Sequence, residues 1–192
     1  SGSPATFRET LVGALEAGMP PEEAKEILYQ AVPYLGFGKA RECLDVTNDV
    51  LRARGVALPL ARQGTTTRET RFERGLAIQV ETFGEGMREA LTTAPEDLRH
   101  IRRNLAANCF GDVYTRRGLD MKARELLTFA MLVSLGGCDA QVRGHIAGNL
   151  AVGNNRATLI QAATALLPYI GYPRTLNALS AIDAVAPADG QK

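Results

Sequence analysis

The amino-acid sequence predicts an all-α fold, and three observations support this prediction. Apolar residues recur at spacings of three and four residues over most of the chain, with little of the strict alternation that is typical of strands. Glycine and proline cluster at a few points, which divide the chain into segments of helical length. The chain also resembles itself, because helical segments and the residues that end them recur at an offset of 135 residues.

Start and stop signals place the individual helices. Pro20 and Pro21, followed by two glutamates, begin one helix, Thr93 and Glu96 form a capping box, and Asp120 caps a later segment. Glycines end most of the segments. Together these signals predict helices over residues 5–17, 21–33, 37–54, 68–90, 95–109, 121–135, 139–152, 156–169 and 173–184.

The internal repeat predicts the domain organisation. At the offset of 135 residues, Gly18 falls on Gly153 and residues 33–37 fall on residues 168–172, where both copies read Pro-Tyr-apolar-Gly-aromatic. The first copy has no counterpart of the helix 121–135, so it is incomplete. We therefore expect that residues were removed upstream of Ser1, where Ser-Gly-Ser resembles a processing remnant. The predicted units are residues 1–56 as the back half of a first repeat, residues 57–67 as a linker and residues 68–186 as a complete second repeat.

The composition limits the classes of partner. The 22 lysines and arginines nearly balance the 21 acidic residues, and the net charge of +1 makes nucleic acids and anionic membranes poor partners. The longest apolar run, residues 126–135, is shorter than the roughly 20 residues that span a bilayer. Three cysteines without a close pair indicate a reducing compartment, which favours a cytoplasmic location.

Three residues around one turn form a candidate catalytic group. Cys138 precedes a predicted helix and His145 lies seven residues later, so these two residues and Gln141 share one helical face. The positive end of the helix dipole is expected to lower the pKa of the Cys138 thiol. Glu125 lies on the preceding helix, which the turn at Gly136-Gly137 folds back. A carboxylate beside an imidazole predicts a proton relay that works near neutral pH.

Each of these residues also has a structural interpretation. Cys138 could be a buried packing residue, His145 a satisfied structural group and Glu125 part of a solvated face. The functional interpretation depends on all three occurring together at these spacings. Five further residues are interpreted as structural or solvated: His100 as surface, Cys43 and Cys109 as packing residues, and Tyr34 and Tyr169 as parts of a helix break.

Several segments of the chain resemble the carboxymuconolactone decarboxylases. They are FGDVYTRRGLD at residues 110–120, RELLT at 124–128, Gly-His-Ile at 144–146, and YIGYP at 169–173 with Asn-Ala-Leu at 177–179. The resemblance covers about residues 71–184 as one complete repeat and residues 7–54 as the back half of another. It implies a duplicated helical-hairpin fold of the alkylhydroperoxidase D-like type. It also implies a cytoplasmic homo-oligomer, a trimer or a hexamer, with no cofactor and no metal.

The resemblance implies two known chemistries. One branch of the superfamily is a cofactor-free decarboxylase of aromatic catabolism. The other resembles alkylhydroperoxidase D, which reduces peroxides through a C-x-x-C-x-x-x-H motif and an upstream Glu. On this chain the first Cys is Cys138, the His is His145 and the Glu is Glu125, but the second Cys position holds Gln141.

The amide at residue 141 favours the decarboxylase, because it cannot form the intramolecular disulfide of the peroxidase cycle. In this hypothesis His145 donates a proton, Glu125 orients it, and Arg116, Arg117 and Gln141 contact a small lactone acid. Two alternatives stay open: a single-thiol peroxidase or disulfide reductase that uses Cys138, and a non-enzymatic oligomeric binding protein.

Overall fold

Helices form the whole regular structure of this chain in a computed structural model that describes residues 3–188. Ser1 and Gly2, and with them most of the expected processing remnant, lie outside the described residues. A short 3₁₀ turn, Glu96–Leu98, precedes α6, and a π-helical segment, Leu105–Tyr114, continues it. The α-helices are α1 (Pro4–Glu16), α2 (Pro21–Leu35), α3 (Phe37–Ala53), α4 (Arg71–Phe83), α5 (Gly86–Thr93), α6 (Arg99–Asn104), α7 (Met121–Leu135), α8 (Asp139–Ala151) and α9 (Arg156–Val185).

The all-α prediction is confirmed, and two local predictions are wrong. The single helix expected over residues 68–90 is broken by Gly84, whose φ of 88° belongs to the left-handed region. The capping box at Thr93 does not form, because the Thr93 hydroxyl donates to the carbonyl oxygen of Glu89 in its own helix. At Asp120 the expected cap is present, since its carboxylate accepts the backbone N–H of Ala123 at 2.8 Å.

The helix bounds follow the internal repeat. Helix α1 and helix α8 have the same length at the offset of 135 residues, and α2 corresponds in the same way to the first part of α9. Both copies break at a glycine with positive φ, Gly36 at 86° and Gly171 at 75°. These bounds support the duplication and the division into two repeats, which stay predictions.

Helix α7 lies at the centre of the molecule. It packs against α2, α8 and α9, and its side chains are buried around much of its circumference. Phe129 and Leu132 of α7 join Ile146, Leu159 and Ile182 in the largest apolar cluster. Two charged residues of α7, Arg124 and Glu125, are buried along with the apolar ones, whereas Lys122 in its first turn is exposed.

A close helix contact holds α4 against the π-helical segment. A Cβ at Gly75 would lie 1.9 Å from the carbonyl oxygen of Ala106, and one at Gly111 would lie 2.0 Å from that of Arg71. Only glycine permits backbones to approach this closely. This contact places the residues that end α4 and those of the π-helical segment on the same side of α7.

The predicted linker, residues 57–67, has no regular structure, and its second half is tied to the rest of the chain. The Thr65 and Thr66 hydroxyls donate to the carbonyl oxygens of Thr115 and Gly111. The backbone N–H of Arg117 donates to the carbonyl oxygen of Gln63. Within residues 3–188, no helix is both long enough and apolar enough to cross a membrane.

Candidate functional site

Glu125 and His145 form a hydrogen-bonded pair between two helices. Glu125 lies on α7 and His145 on α8, and 2.8 Å separates the Glu125 Oε2 from the His145 Nδ1. The Glu125 side chain is fully buried, whereas 13% of the His145 side chain is exposed. The turn at Gly136-Gly137, with positive φ at both residues, reverses the chain so that the two helices pack side by side. The pair therefore has a buried carboxylate and an imidazole that reaches solvent.

The Tyr114 hydroxyl, held by two further hydroxyls, fixes the other side of the Glu125 carboxylate. The Tyr114 hydroxyl donates to the Glu125 Oε1 at 2.9 Å, and it lies 2.6 Å from the Thr128 hydroxyl and 3.0 Å from that of Tyr34. A carboxylate only accepts, so the single Tyr114 proton is used on Glu125 and the other two hydroxyls donate to Tyr114. Each oxygen of the Glu125 carboxylate therefore accepts a hydrogen bond, Oε1 from Tyr114 and Oε2 from His145.

Aromatic rings and one amide hold the imidazole in place. The rings of Phe83 and Tyr34 meet the His145 ring edge to face, with centroids 5.3 Å and 5.7 Å away. The Asn149 amide donates to the backbone carbonyl oxygens of both Glu125 and His145 and so ties α7 to α8. The pair is therefore rigidly supported, as a proton-transfer site requires.

A chain of buried polar side chains extends from Glu125 away from His145. The Gln30 amide donates to the Thr128 hydroxyl at 2.9 Å and accepts a hydrogen bond from the Arg124 guanidinium at 2.9 Å. Arg124 is itself fully buried and donates to Glu26 at 3.1 Å. Burial lowers the pKa of Arg124, and the adjacent Glu26 carboxylate opposes this effect.

Cys138 does not meet the pair, contrary to the prediction that Cys138, Gln141 and His145 converge. The Cys138 thiol donates to the carbonyl oxygen of Leu132 at 3.3 Å and lines a small cavity of about 30 Å³. Burial, and secondly the charge of Asp139, raise its pKa. The expected lowering of this pKa is therefore not supported, because burial disfavours the thiolate.

The three predicted substrate contacts have different surroundings. The Arg116 guanidinium makes a double hydrogen bond to the buried Glu26 carboxylate, with its Nε 2.9 Å from both oxygens. The side chains of Arg117 and Gln141 are exposed. Among residues 3–188 none of the three hydrogen-bonds to Glu125 or His145, so their role in substrate binding has no support from the geometry.

The sequence missed the hydroxyls of the site, whereas Cys109 is a buried packing residue, as expected. Cys109 packs against Tyr34, Phe110 and Tyr114, and burial together with the Glu125 charge raises its pKa to about 11, although the Tyr34 hydroxyl opposes this. Burial is also the main cause that raises the pKa of Tyr34 and Tyr114 well above the ordinary value. Cys109 thus packs against Tyr114, the residue whose hydroxyl donates to Glu125.

One signal in the sequence indicated one of the two tyrosines whose hydroxyls lie at the site. Tyr114 belongs to the segment 110–120 that carries the family resemblance, so it could have been included. Tyr34 gave no such signal. The repeat matches it with Tyr169, and in the structure Tyr169 is half-exposed and has a different environment. The solvated interpretation of Glu125 is wrong, whereas His100 is exposed, as expected.

Residues 100–184 match the family model described as the carboxymuconolactone decarboxylase family. This region belongs to the carboxymuconolactone decarboxylase superfamily. The carboxymuconolactone decarboxylase region runs from α6 to α9 and contains both members of the hydrogen-bonded pair, whereas Tyr34 and Phe83 lie outside it. A search of curated proteins found no match to the chain. Within residues 3–188, no group of three or more His, Cys, Asp or Glu side chains could hold a metal ion.

Proposed function

We propose that this chain is a carboxymuconolactone decarboxylase-like enzyme that removes carbon dioxide from a small unsaturated lactone acid of aromatic catabolism. The observation that carries the proposal is the 2.8 Å hydrogen bond between the buried Glu125 and the partly exposed His145. The pair supplies one exchangeable proton at the edge of a rigid site. The superfamily assignment of residues 100–184 supports the same reaction class.

The hydrogen bond determines which nitrogen of His145 would act. The Glu125 carboxylate accepts from Nδ1, so Nδ1 carries a proton in either charge state of the ring. Among the described residues, Nε2 has no hydrogen-bond partner. In the proposed reaction Nε2 is therefore the nitrogen that donates to the substrate, and Glu125 stabilises the ring while its charge changes.

The reaction needs only this one proton transfer. When the carboxylate carbon–carbon bond breaks, carbon dioxide leaves and its bonding electrons delocalise through the double bond to the lactone carbonyl. The resulting dienolate takes the Nε2 proton at carbon, and His145 recovers a proton from solvent. Tyr114 acts as a positioning residue, because its hydroxyl donates to Glu125, and Thr128 supports it through a hydrogen bond to the Tyr114 hydroxyl.

The thiol alternative has weaker support. The Cys138 pKa is raised rather than lowered, which reduces the thiolate fraction on which peroxide reduction depends. Position 141 is an exposed glutamine, so Cys138 has no partner thiol in its own helix.

We also propose that the protein works in the cytoplasm as a homo-oligomer. Exposed apolar side chains such as Tyr172 and Leu176 support the homo-oligomer.

A three-variant assay tests the proposed reaction. Purified protein is incubated with carboxymuconolactone and, separately, with an organic hydroperoxide plus a thiol donor. We expect His145→Ala to lower kcat for decarboxylation by about 100-fold or more, and Glu125→Gln to lower it by at least about tenfold. Cys138→Ser should retain decarboxylation. His100→Ala is the matched control, because this exposed histidine lies away from the pair.

Other outcomes would contradict the proposal. Loss of thiol-dependent peroxide turnover in Cys138→Ser, without any decarboxylation by the wild type, would establish the thiol alternative. If His145→Ala left every measured activity unchanged in folded protein, the non-enzymatic binding role would be favoured instead.

A further inference from the structure

A second cavity lies outside the Glu125–His145 pair. It has a volume of about 510 Å³ and is bounded by α2, by α3 and by residues 58–63 of the connecting segment. This size is typical of sites for small molecules. With the exception of Arg116, its lining residues precede the region that matches the family model.

The charges around this cavity are unbalanced. Its lining includes the basic side chains of Lys25, Arg52, Arg62 and Arg116, whereas only two acidic side chains, Glu22 and Glu26, line it. Glu26 is already neutralised, because both Arg116 and Arg124 form ion pairs with its carboxylate. Arg52 is paired with Asp49, so the excess positive charge of the cavity comes from Lys25 and Arg62, and it favours an anionic ligand.

Several donors on these basic side chains remain free. Arg116 uses its Nε and Nη2 on Glu26, and its Nη1 has no hydrogen-bond partner among residues 3–188. Lys25 donates one hydrogen bond to Asn48 and keeps two further N–H groups. Burial, and secondly the charge of Arg52, lower the pKa of Lys25, while Asp45 opposes this. A bound anion would favour the charged form of the Lys25 ammonium.

The rest of the lining, apart from Asn48 and Gln63, is largely apolar. Leu58, Pro59 and Leu60 form one wall, and the Tyr29 ring lies within 4.9 Å of the Arg116 guanidinium and 5.3 Å of the Lys25 ammonium. Apolar walls beside fixed cations suit a ligand that has an apolar body and a negative charge. We propose that this cavity binds a small organic carboxylate with an apolar body, at a site separate from Glu125 and His145.

Binding of 4-fluorobenzoate, followed by ¹⁹F NMR, tests this proposal. We expect saturable binding to the wild type that is about tenfold weaker in Lys25→Met and in Arg52→Gln, because each loses a charged contact. Arg88→Gln is the matched control, since Arg88 and Arg52 both form an exposed ion pair with an acid three residues earlier. Binding should be unchanged in Arg88→Gln and in His145→Ala. The neutral 4-fluorobenzamide should bind at least about tenfold more weakly.

Three results would overturn the proposal. They are equal binding of the amide, loss of 4-fluorobenzoate binding in His145→Ala but not in the Lys25 and Arg52 variants, and no saturable binding at millimolar concentration. Circular dichroism confirms that each variant is folded. If Lys25→Met does not fold, Arg52→Gln carries the test, because 62% of the Arg52 side chain is exposed.

Discussion

Cys109 shows how burial changes a single titratable group. It lies on the π-helical segment beside Tyr34 and Tyr114, and its pKa is raised from the ordinary value of 9.0 to about 11. The main cause is desolvation, since a thiolate at this position would lose its water and face the Glu125 carboxylate. The same burial that lowers the thiolate fraction of Cys109 therefore makes the free energy of unfolding depend on the ionisation of this thiol.

This shift predicts how stability changes in alkaline solution. As pH rises above 9, the thiol ionises in the unfolded chain but stays protonated in the folded one, so the unfolded state is favoured. We expect the Cys109 contribution to the free energy of unfolding to fall by about 2 kcal/mol between pH 9 and pH 11. Urea denaturation of wild type and Cys109→Ala at several pH values measures it.

The variant should be less stable at neutral pH but lose less stability on going to high pH. Tyr34 and Tyr114 also have raised pKa values and contribute above pH 10 in both proteins. Equal slopes for wild type and Cys109→Ala between pH 9 and pH 10 would show that Cys109 does not have the raised pKa.

At the scale of the element, α8 contains two glycines with opposite surroundings. Gly144 has open space where a Cβ would lie. At Gly148, one turn later, a Cβ would lie 2.5 Å from the Glu125 Oε2 and 2.7 Å from the Phe83 ring. Both residues are helical, so the difference arises from packing rather than from backbone conformation. Gly148 permits α8 to approach α7 closely enough for His145 to reach Glu125.

Alanine substitution should separate these two glycines. Gly148→Ala is expected to destabilise the protein by about 1–3 kcal/mol and to lower the proposed decarboxylase activity, because it displaces Glu125. Gly144→Ala, the control in the same helix, is expected to stabilise it by about 0.5–1 kcal/mol. Thermal denaturation and kcat measure the two effects. Similar behaviour of both variants would mean that the close approach at Gly148 is not required.

At the scale of the whole molecule, one buried carboxylate joins the first 56 residues to the rest of the chain. Glu26 on α2 is 1% exposed and forms ion pairs with Arg116, at 2.8 Å, and with the fully buried Arg124 on α7, at 3.1 Å. Gln30, one turn later, adds hydrogen bonds to the Arg124 carbonyl oxygen and to Thr128. The two parts are therefore held together by a polar contact as well as by apolar packing.

Removal of this carboxylate should be costly. Glu26→Leu leaves the buried Arg124 charge without its partner, so we expect a loss of about 3–5 kcal/mol in the free energy of unfolding. Glu16→Leu removes an exposed ion pair with Arg54 and should change stability by less than about 1 kcal/mol. Chemical denaturation compares the two. A loss below about 1 kcal/mol for Glu26→Leu would contradict the structural role of this contact.

The sequence by itself determined the helices and the central pair of residues. Helix periodicity and glycine stops are local signals, which explains why α7 begins at Met121 and ends at Leu135, as expected. Spacing across the Gly136-Gly137 turn likewise placed Glu125 opposite His145. It could not give the direction of the Cys138 pKa shift, because the burial that raises this pKa depends on the surrounding packing.

Only the tertiary structure decided which other groups surround the pair. Tyr34 is separated from Tyr114 by 80 positions, yet their hydroxyls lie 3.0 Å apart because α2 packs across α7 and the π-helical segment. Because of the same packing, Arg116 forms an ion pair with Glu26, although the sequence predicted that it contacts the substrate. Contacts between distant segments depend on how helices pack, and no local pattern in the chain encodes that arrangement on its own.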